Sequence, residues 1–168
     1  MNLKPILELE PCEDGLEWLK AQPSMSAAWK NCERGDWMLW LLGKLAGPPE
    51  SASRKKLVLA ACACARLSLK YVAEGEESPR LAIETAENWA RGEGATLEGV
   101  LAAAAAAYTA AASAAAAAAY NAAAAAYNAA VYASSAYASS AARKKTLLRC
   151  ADIVRGMYPG APRIGGKK

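Results

Sequence analysis

The 168-residue chain contains no histidine and no phenylalanine. Without histidine there is no imidazole base, no Ser-His pair and no imidazole metal ligand. Without phenylalanine the core must be built from Leu, Trp, Tyr, Val and close-packed Ala. The phosphate-cradling signatures G-x-x-x-x-G-K-[ST] and G-x-G-x-x-G are missing as well. No run of β-branched residues alternates with polar ones, so strand signals are absent. Glu84 and Glu87 stand at i, i+3 and share a helix face. A carboxylate-bridged metal bundle would also draw on Glu-x-x-His partners, however, and the chain has none. These absences predict a non-enzymatic protein with no cofactor and no metal, and a solvated acidic face at Glu84 and Glu87.

Cysteine is present but scattered: Cys12, Cys32, Cys62, Cys64 and Cys150. An odd number at such spacing does not read as a disulfide framework. The N-terminal MNLKPILELEPCED is acidic and has no long apolar run, so no secretion leader is expected. Free thiols in a reducing cytoplasm follow, acting as small buried hydrophobes.

Charge is scarce in one long stretch. Leu101–Ala142 carries none, and 27 of its 42 residues are alanine. The tract lacks the Leu, Ile, Val and Phe that favour insertion, so no membrane span is expected. Alanine has the highest helix propensity, which predicts a helix. A straight rod of this length would reach about 63 Å. The serines from Ser134 to Ser140 compete for backbone hydrogen bonds and predict a break near residues 132–140. Tyr120 and Tyr127 repeat at seven residues and share a stripe, which reads equally as a contact face for a partner or a second copy of the chain and as tyrosines wedged between helices.

Elsewhere charge is uneven. Residues 1–50 carry 5 basic and 8 acidic side chains, and residues 51–168 carry 15 and 8. The net charge of +4 is too mild to imply nucleic acid. Two basic runs, Arg54–Lys56 and Arg143–Lys145, would serve phosphate binding only if they converged on one face.

Turn and cap signals divide the chain into helices. Residues 1–12 read as irregular, broken by Pro5 and Pro11. Helices are predicted over 15–21 (capped by Asp14), 25–33 (capped by Ser24), 37–45, a long one opened by Ser51 or Ser53 and running to 73, 79–91, the tract itself (capped by Thr96), and 143–157. The segments 37–45 and 57–72 are apolar nearly all round, which marks them as the central pair. The fold class is therefore all-α: a single-domain bundle of about seven helices over residues 1–160, with a flexible basic tail at 161–168.

One constellation suggests a site. Trp29, Trp37, Trp40 and Trp89, with Arg34, Arg80 and Arg91, would form an aromatic and cationic cleft for an anionic ring compound such as a nucleotide. Asp36, which caps the helix carrying Trp37 and Trp40, belongs to the same set. The plainer reading is that these tryptophans fill a core without phenylalanine.

Four segments carry a family resemblance. They are Arg34-Gly35-Asp36-Trp37-Met38-Leu39-Trp40, the run from Arg54 to Leu67, Pro79–Glu84 with Trp89, and Cys150–Arg155 followed by Tyr158-Pro159. Together they resemble a bacterial and phage immunity-protein family, similar to an Imm-5-like group, over about residues 11–159. The resemblance implies a protein that binds and blocks a toxin without chemistry. In a phage setting it implies a block on a host defence protein, an anti-CRISPR-type role. The expected partner is thus a protein. A sponge for a nucleotide-like signalling ligand and a helical nucleic-acid-binding module are the alternatives.

Overall fold

The computed structural model describes residues 1–72, 74–111 and 140–164. These form α1 (Lys4–Leu7), α2 (Glu13–Lys20), α3 (Met25–Asn31), α4 (Gly35–Leu45), α5 (Ala52–Arg66), a 3-10 turn (Leu69–Tyr71), α6 (Ser78–Arg91), α7 (Leu97–Ala111) and α8 (Ser140–Met157). No strand occurs among the described residues, so the all-α class holds. The predicted break near 132–140 and the stripe of Tyr120 and Tyr127 lie outside the described residues.

Local chemistry explains most helix starts. The side chains of Ser24, Ser51 and Thr96 accept hydrogen bonds from the backbone N–H groups of Ala27, Arg54 and Gly99, at 3.1, 3.2 and 3.1 Å. Each satisfies one of the donors that a first helical turn leaves unpaired. Four expectations need correction. Asp36 lies inside the first turn of α4 rather than capping it, because the helix already starts at Gly35. Pro5 does not break residues 1–12. It sits in the first turn of α1, where a missing N–H costs nothing, and Ile6 is buried behind it. α2 starts at Glu13, after Cys12 rather than Asp14, with Glu13 and Asp14 in its first turn and Lys20 in its last. Both ends then match the helix dipole. α5 stops at Arg66 instead of running to residue 73, because Leu67 and Ser68 bond three residues back, to Cys64 and Ala65. That tightening passes into the 3-10 turn.

α5 is the centre of the bundle, as its all-round apolar pattern predicts. Leu57, Val58, Ala60, Ala61, Cys62, Cys64 and Ala65 are all buried, facing α4, α6 and α8. The other apolar helix, α4, packs more extensively on α8 than on α5. Gly35 explains why. A Cβ at Gly35 would lie 2.4 Å from Cys150 Cβ and 2.6 Å from the Ala151 amide nitrogen. Only glycine lets the start of α4 rest directly on the α8 backbone. Two long-range hydrogen bonds extend this joint to α3. The Trp29 indole N–H donates to the Tyr158 carbonyl at 2.8 Å, and Arg155 donates to the Cys32 carbonyl at 2.6 Å.

The basic start of α5 is unfavourable for its own dipole but useful to its neighbours. Arg54 donates to the carbonyls of Gly47 and Ala46, where α4 has just ended. Lys55 pairs with Glu50 at 2.9 Å and lies over the Trp89 ring, while Lys56 lies 4.6 Å from the Tyr158 ring centroid. At the other end of α8, Arg143, Lys144 and Lys145 are exposed. Lys144 and Tyr158 are separated by about 20 Å of helix at 1.5 Å per residue. The two basic runs therefore stand about 20 Å apart along α8 and do not form one cluster. At the C-terminal side of α8, Ala161 and Ile164 pack against the core.

Candidate functional site

Three short helices bring their large side chains to one place. On α2, Gly15, Trp18 and Leu19 fall at i, i+3, i+4. On α3, Met25, Ala28 and Trp29 fall at i, i+3, i+4, and Cys32 follows at i+7 as its C-terminal cap. α4 contributes Trp37, Met38, Trp40 and Leu41, with Arg34 and Asp36 at its start. These faces enclose an apolar cleft of about 300 Å³. Gly15 is again a close-approach residue, since a Cβ there would meet the Cys12 sulfur at 3.1 Å and the Trp37 ring at 3.6 Å.

The aromatic walls are arranged in a series. Trp18 and Trp37 stand 5.9 Å apart between ring centroids, tilted by 52°. The Arg34 guanidinium lies 4.3 Å from the Trp37 centroid, a cation–π contact. The same guanidinium grips Asp36 in a two-point pair, with Nε donating to Oδ1 at 2.8 Å and Nη2 to Oδ2. Asp36 is buried, so the two-point pair compensates for its lost hydration. The charged groups of the lining thus cancel, and an anionic ring would have to compete with Asp36 for Arg34.

The polar atoms of the cleft divide into engaged and open ones. The Trp29 indole N–H is taken by Tyr158, and the Cys32 thiol donates to the Arg34 carbonyl at 3.4 Å. Burial pushes the Cys32 thiol up from its ordinary range. By contrast, the indole N–H groups of Trp18, Trp37 and Trp40 make no hydrogen bond among the described residues. Every buried side-chain nitrogen and oxygen among those residues has a partner, so these three donors reach solvent. Cys12 is the exposed thiol of the lining, and the other four cysteines are buried.

The site expected from sequence divides in two. Arg34, Asp36, Trp37 and Trp40 do share the cleft, together with Trp29. Arg80, Trp89 and Arg91 do not line it; they lie along α6. Arg80 pairs with Glu77, just before α6, and with Glu84 on the helix itself. Arg91 stands 3.7 Å from Glu87 and 3.9 Å from Glu93. Trp89 is buried, with Lys55 over its ring and Glu50 nearby. Lys55, and to a lesser degree the Trp89 indole, hold the Glu50 carboxyl below its ordinary range. Glu84 and Glu87 are ion-paired rather than simply solvated. Glu87 is buried and accepts both donors of Arg66, at 2.8 and 2.7 Å, which clamps α6 to α5. The Arg66 guanidinium holds its carboxyl below the ordinary range.

Trp18, Cys12 and Met25 were missing from the expected set. Their signal was readable in part: Gly15, Trp18 and Leu19 share a face, although Leu16 and Leu19 look like the inward pair on hydrophobicity alone. Leu19 is buried and Leu16 only half-buried.

No group of histidine, cysteine, aspartate or glutamate suited to a metal ion occurs among the described residues. No described helix is long and apolar enough to cross a membrane. Comparison with protein-family models, with curated proteins and with solved structures finds no match.

Proposed function

We propose that the chain is a non-enzymatic binding protein that neutralises a protein partner through the mouth of the tryptophan-lined cleft. The partner would be a toxin or, in a phage setting, a host defence component, and the protein would act in the cytoplasm. The observation that carries this reading is the cleft itself. Trp18, Trp37 and Trp40 are only half-buried, although the same chain buries Trp29 and Trp89 completely. Half-buried tryptophan around an apolar hollow is costly as plain surface and favourable as an anchor site, because tryptophan dominates the energetics of protein contacts. The self-neutralised Arg34–Asp36 pair favours a protein side chain over an anionic nucleotide as the occupant.

The test is quantitative affinity purification from the native host with the wild-type chain and with a Trp18→Ala/Trp40→Ala variant. The expected result is a protein recovered in near-stoichiometric amount with the wild type and lost with the variant. Identical recoveries with both chains would move the binding surface away from the cleft.

A further inference from the structure

Charge around the cleft narrows what enters it. Glu10, Glu13, Asp14, Glu17 and Glu33 are all exposed, and each is the immediate chain neighbour of a lining residue. Lys20 and Lys30 are the exposed cations in the same position, and Lys20 is already paired with Glu17 at 2.6 Å. A third exposed cation, Lys44, lies 5.8 Å from the Trp40 ring centroid. Five carboxylates thus stand against three ammonium groups around the lining, while Arg34 and Asp36 cancel inside. Neighbouring groups of this kind lie within about one Debye length, roughly 8–10 Å, of a ligand at the mouth and act on it through their summed field. Three open indole N–H donors add a demand for acceptors.

From this combination we infer that the cleft takes a peptide segment of the partner in which an apolar side chain is flanked by lysine or arginine. The apolar side chain fills the hollow between Trp18, Trp37 and Trp40. Backbone carbonyls of the segment accept from the open indole N–H groups. The flanking cations meet Glu13, Asp14 and Glu33, none of which is ion-paired among the described residues. A hollow of about 300 Å³ admits one or two side chains rather than a folded domain. The inference rests on the binding reading above and specifies the chemistry of its partner.

Two probes test it: acetyl-Lys-Lys-Leu-Leu-Lys-Lys-amide and its counterpart with glutamate in place of lysine. Binding is read by tryptophan fluorescence and by protection of Cys12 from a maleimide, since the other cysteines are buried. The lysine peptide should bind at least about tenfold more tightly and should slow Cys12 labelling, with a preference that fades as salt is raised. Glu13→Gln/Asp14→Asn, a surface change that leaves the hollow intact, should reduce the preference several-fold. Trp18→Ala should weaken both peptides.

Equal binding of the two peptides with Cys12 protected would overturn the charge rule while leaving the cleft as the binding site. Tighter binding of the lysine peptide with Cys12 unprotected, or unaffected by Trp18→Ala, would overturn the placement. Self-association that sediments as a dimer and is abolished by Trp18→Ala would make a second copy the occupant and overturn the inference. Loss of partner recovery in the double tryptophan variant separates each of these from failure of the binding reading itself.

Discussion

Where α5 meets α6 and α8, most of the sealed side chains are small: Ala60, Ala61, Cys62, Cys64, Ala65 and Ala151, with Val58 and Val154, although Ile83 and Trp89 of α6 are buried there too. Where α2, α3 and α4 meet, they are large: four tryptophans, Met25 and Leu19, and a hollow remains between them. Small side chains let helix axes approach and their backbones interlock, as Gly35 does against Cys150 and Ala151. Large rigid rings on short helices cannot mesh so completely, because a helix of two turns offers few positions from which to fill a gap. The first region stores stability, and the second presents a surface. The bundle is bound together by Glu87 between α5 and α6 and by Trp29 and Arg155 between α3 and α8.

Substitutions should separate the two regions, and the largest effect is expected at Gly35. Gly35→Val forces a branched side chain into the α8 backbone and should cost about 3 kcal/mol or more. Denaturant midpoints would show it; a loss under about 1 kcal/mol would mean that α4 can slide along α8. Trp29→Ala should follow closely, at about 3–5 kcal/mol for a buried ring, whereas Trp18→Ala on the cleft wall should cost about half that or less. Equal losses from the two would show that the half-buried wall of the cleft stores as much stability as its buried floor.

Arg66→Ala comes next. It leaves the buried Glu87 carboxylate with only the longer contact to Arg91 and should cost about 1–3 kcal/mol near neutral pH. The sign of the pH dependence follows from the lowered carboxyl. The folded state takes up this proton at lower pH than the unfolded chain. The stabilisation is therefore complete above the unfolded carboxyl's titration and is lost as pH falls through it towards the folded value. Stability measured from about pH 6 down to pH 3 should fall less steeply in Arg66→Ala than in the wild type. Parallel acid limbs would remove the clamp between α5 and α6 as a source of stability.

A thiol count divides the regions without any substitution. Burial pushes Cys62 up to about 12, and a hydrogen bond with the Cys150 side chain, with burial, raises Cys64, whereas Cys12 stands at the cleft. One of the five thiols should react quickly with a disulfide reagent at pH 8, and the remainder only on unfolding. Two or more fast thiols in the native state would show that the small-residue core opens readily. The smallest effect is expected at Glu10, a non-glycine residue with a backbone φ of 57° just before Pro11. Glu10→Gly relieves a left-handed conformation worth about 1–2 kcal/mol but adds backbone freedom to the unfolded chain. A gain of under about 1 kcal/mol is the expected balance, together with a slightly weaker preference for the lysine peptide.

Much of the fold was legible in the chain. Ser24, Ser51 and Thr96 cap the helices that their spacing announces, and the apolar run 57–65 becomes the buried face of α5. Caps, prolines and periodicity act within one or two turns, so they can be read locally. Pro5 shows the limit of that reading, since a proline serves the first turn of a helix as well as it ends one. The site was only half legible. Arg34, Asp36, Trp37 and Trp40 are close in sequence, and one helix start gathers them. Arg80, Trp89 and Arg91 look equally suitable by composition, but α6 directs them to the carboxylates of its own helix, to Glu50 and to Lys55.

What the amino-acid sequence determined by itself was the all-helical class, the positions of most breaks, and the lack of imidazole chemistry. Each of these follows from residue identity or from interactions spanning about four residues. The tertiary structure alone decided that Trp18 joins Trp37, that Gly35 lies on Cys150, and that Glu87 belongs to Arg66. Each of those contacts depends on which helix faces meet. Burial of whole surfaces governs that choice, and no spacing within a single helix encodes it.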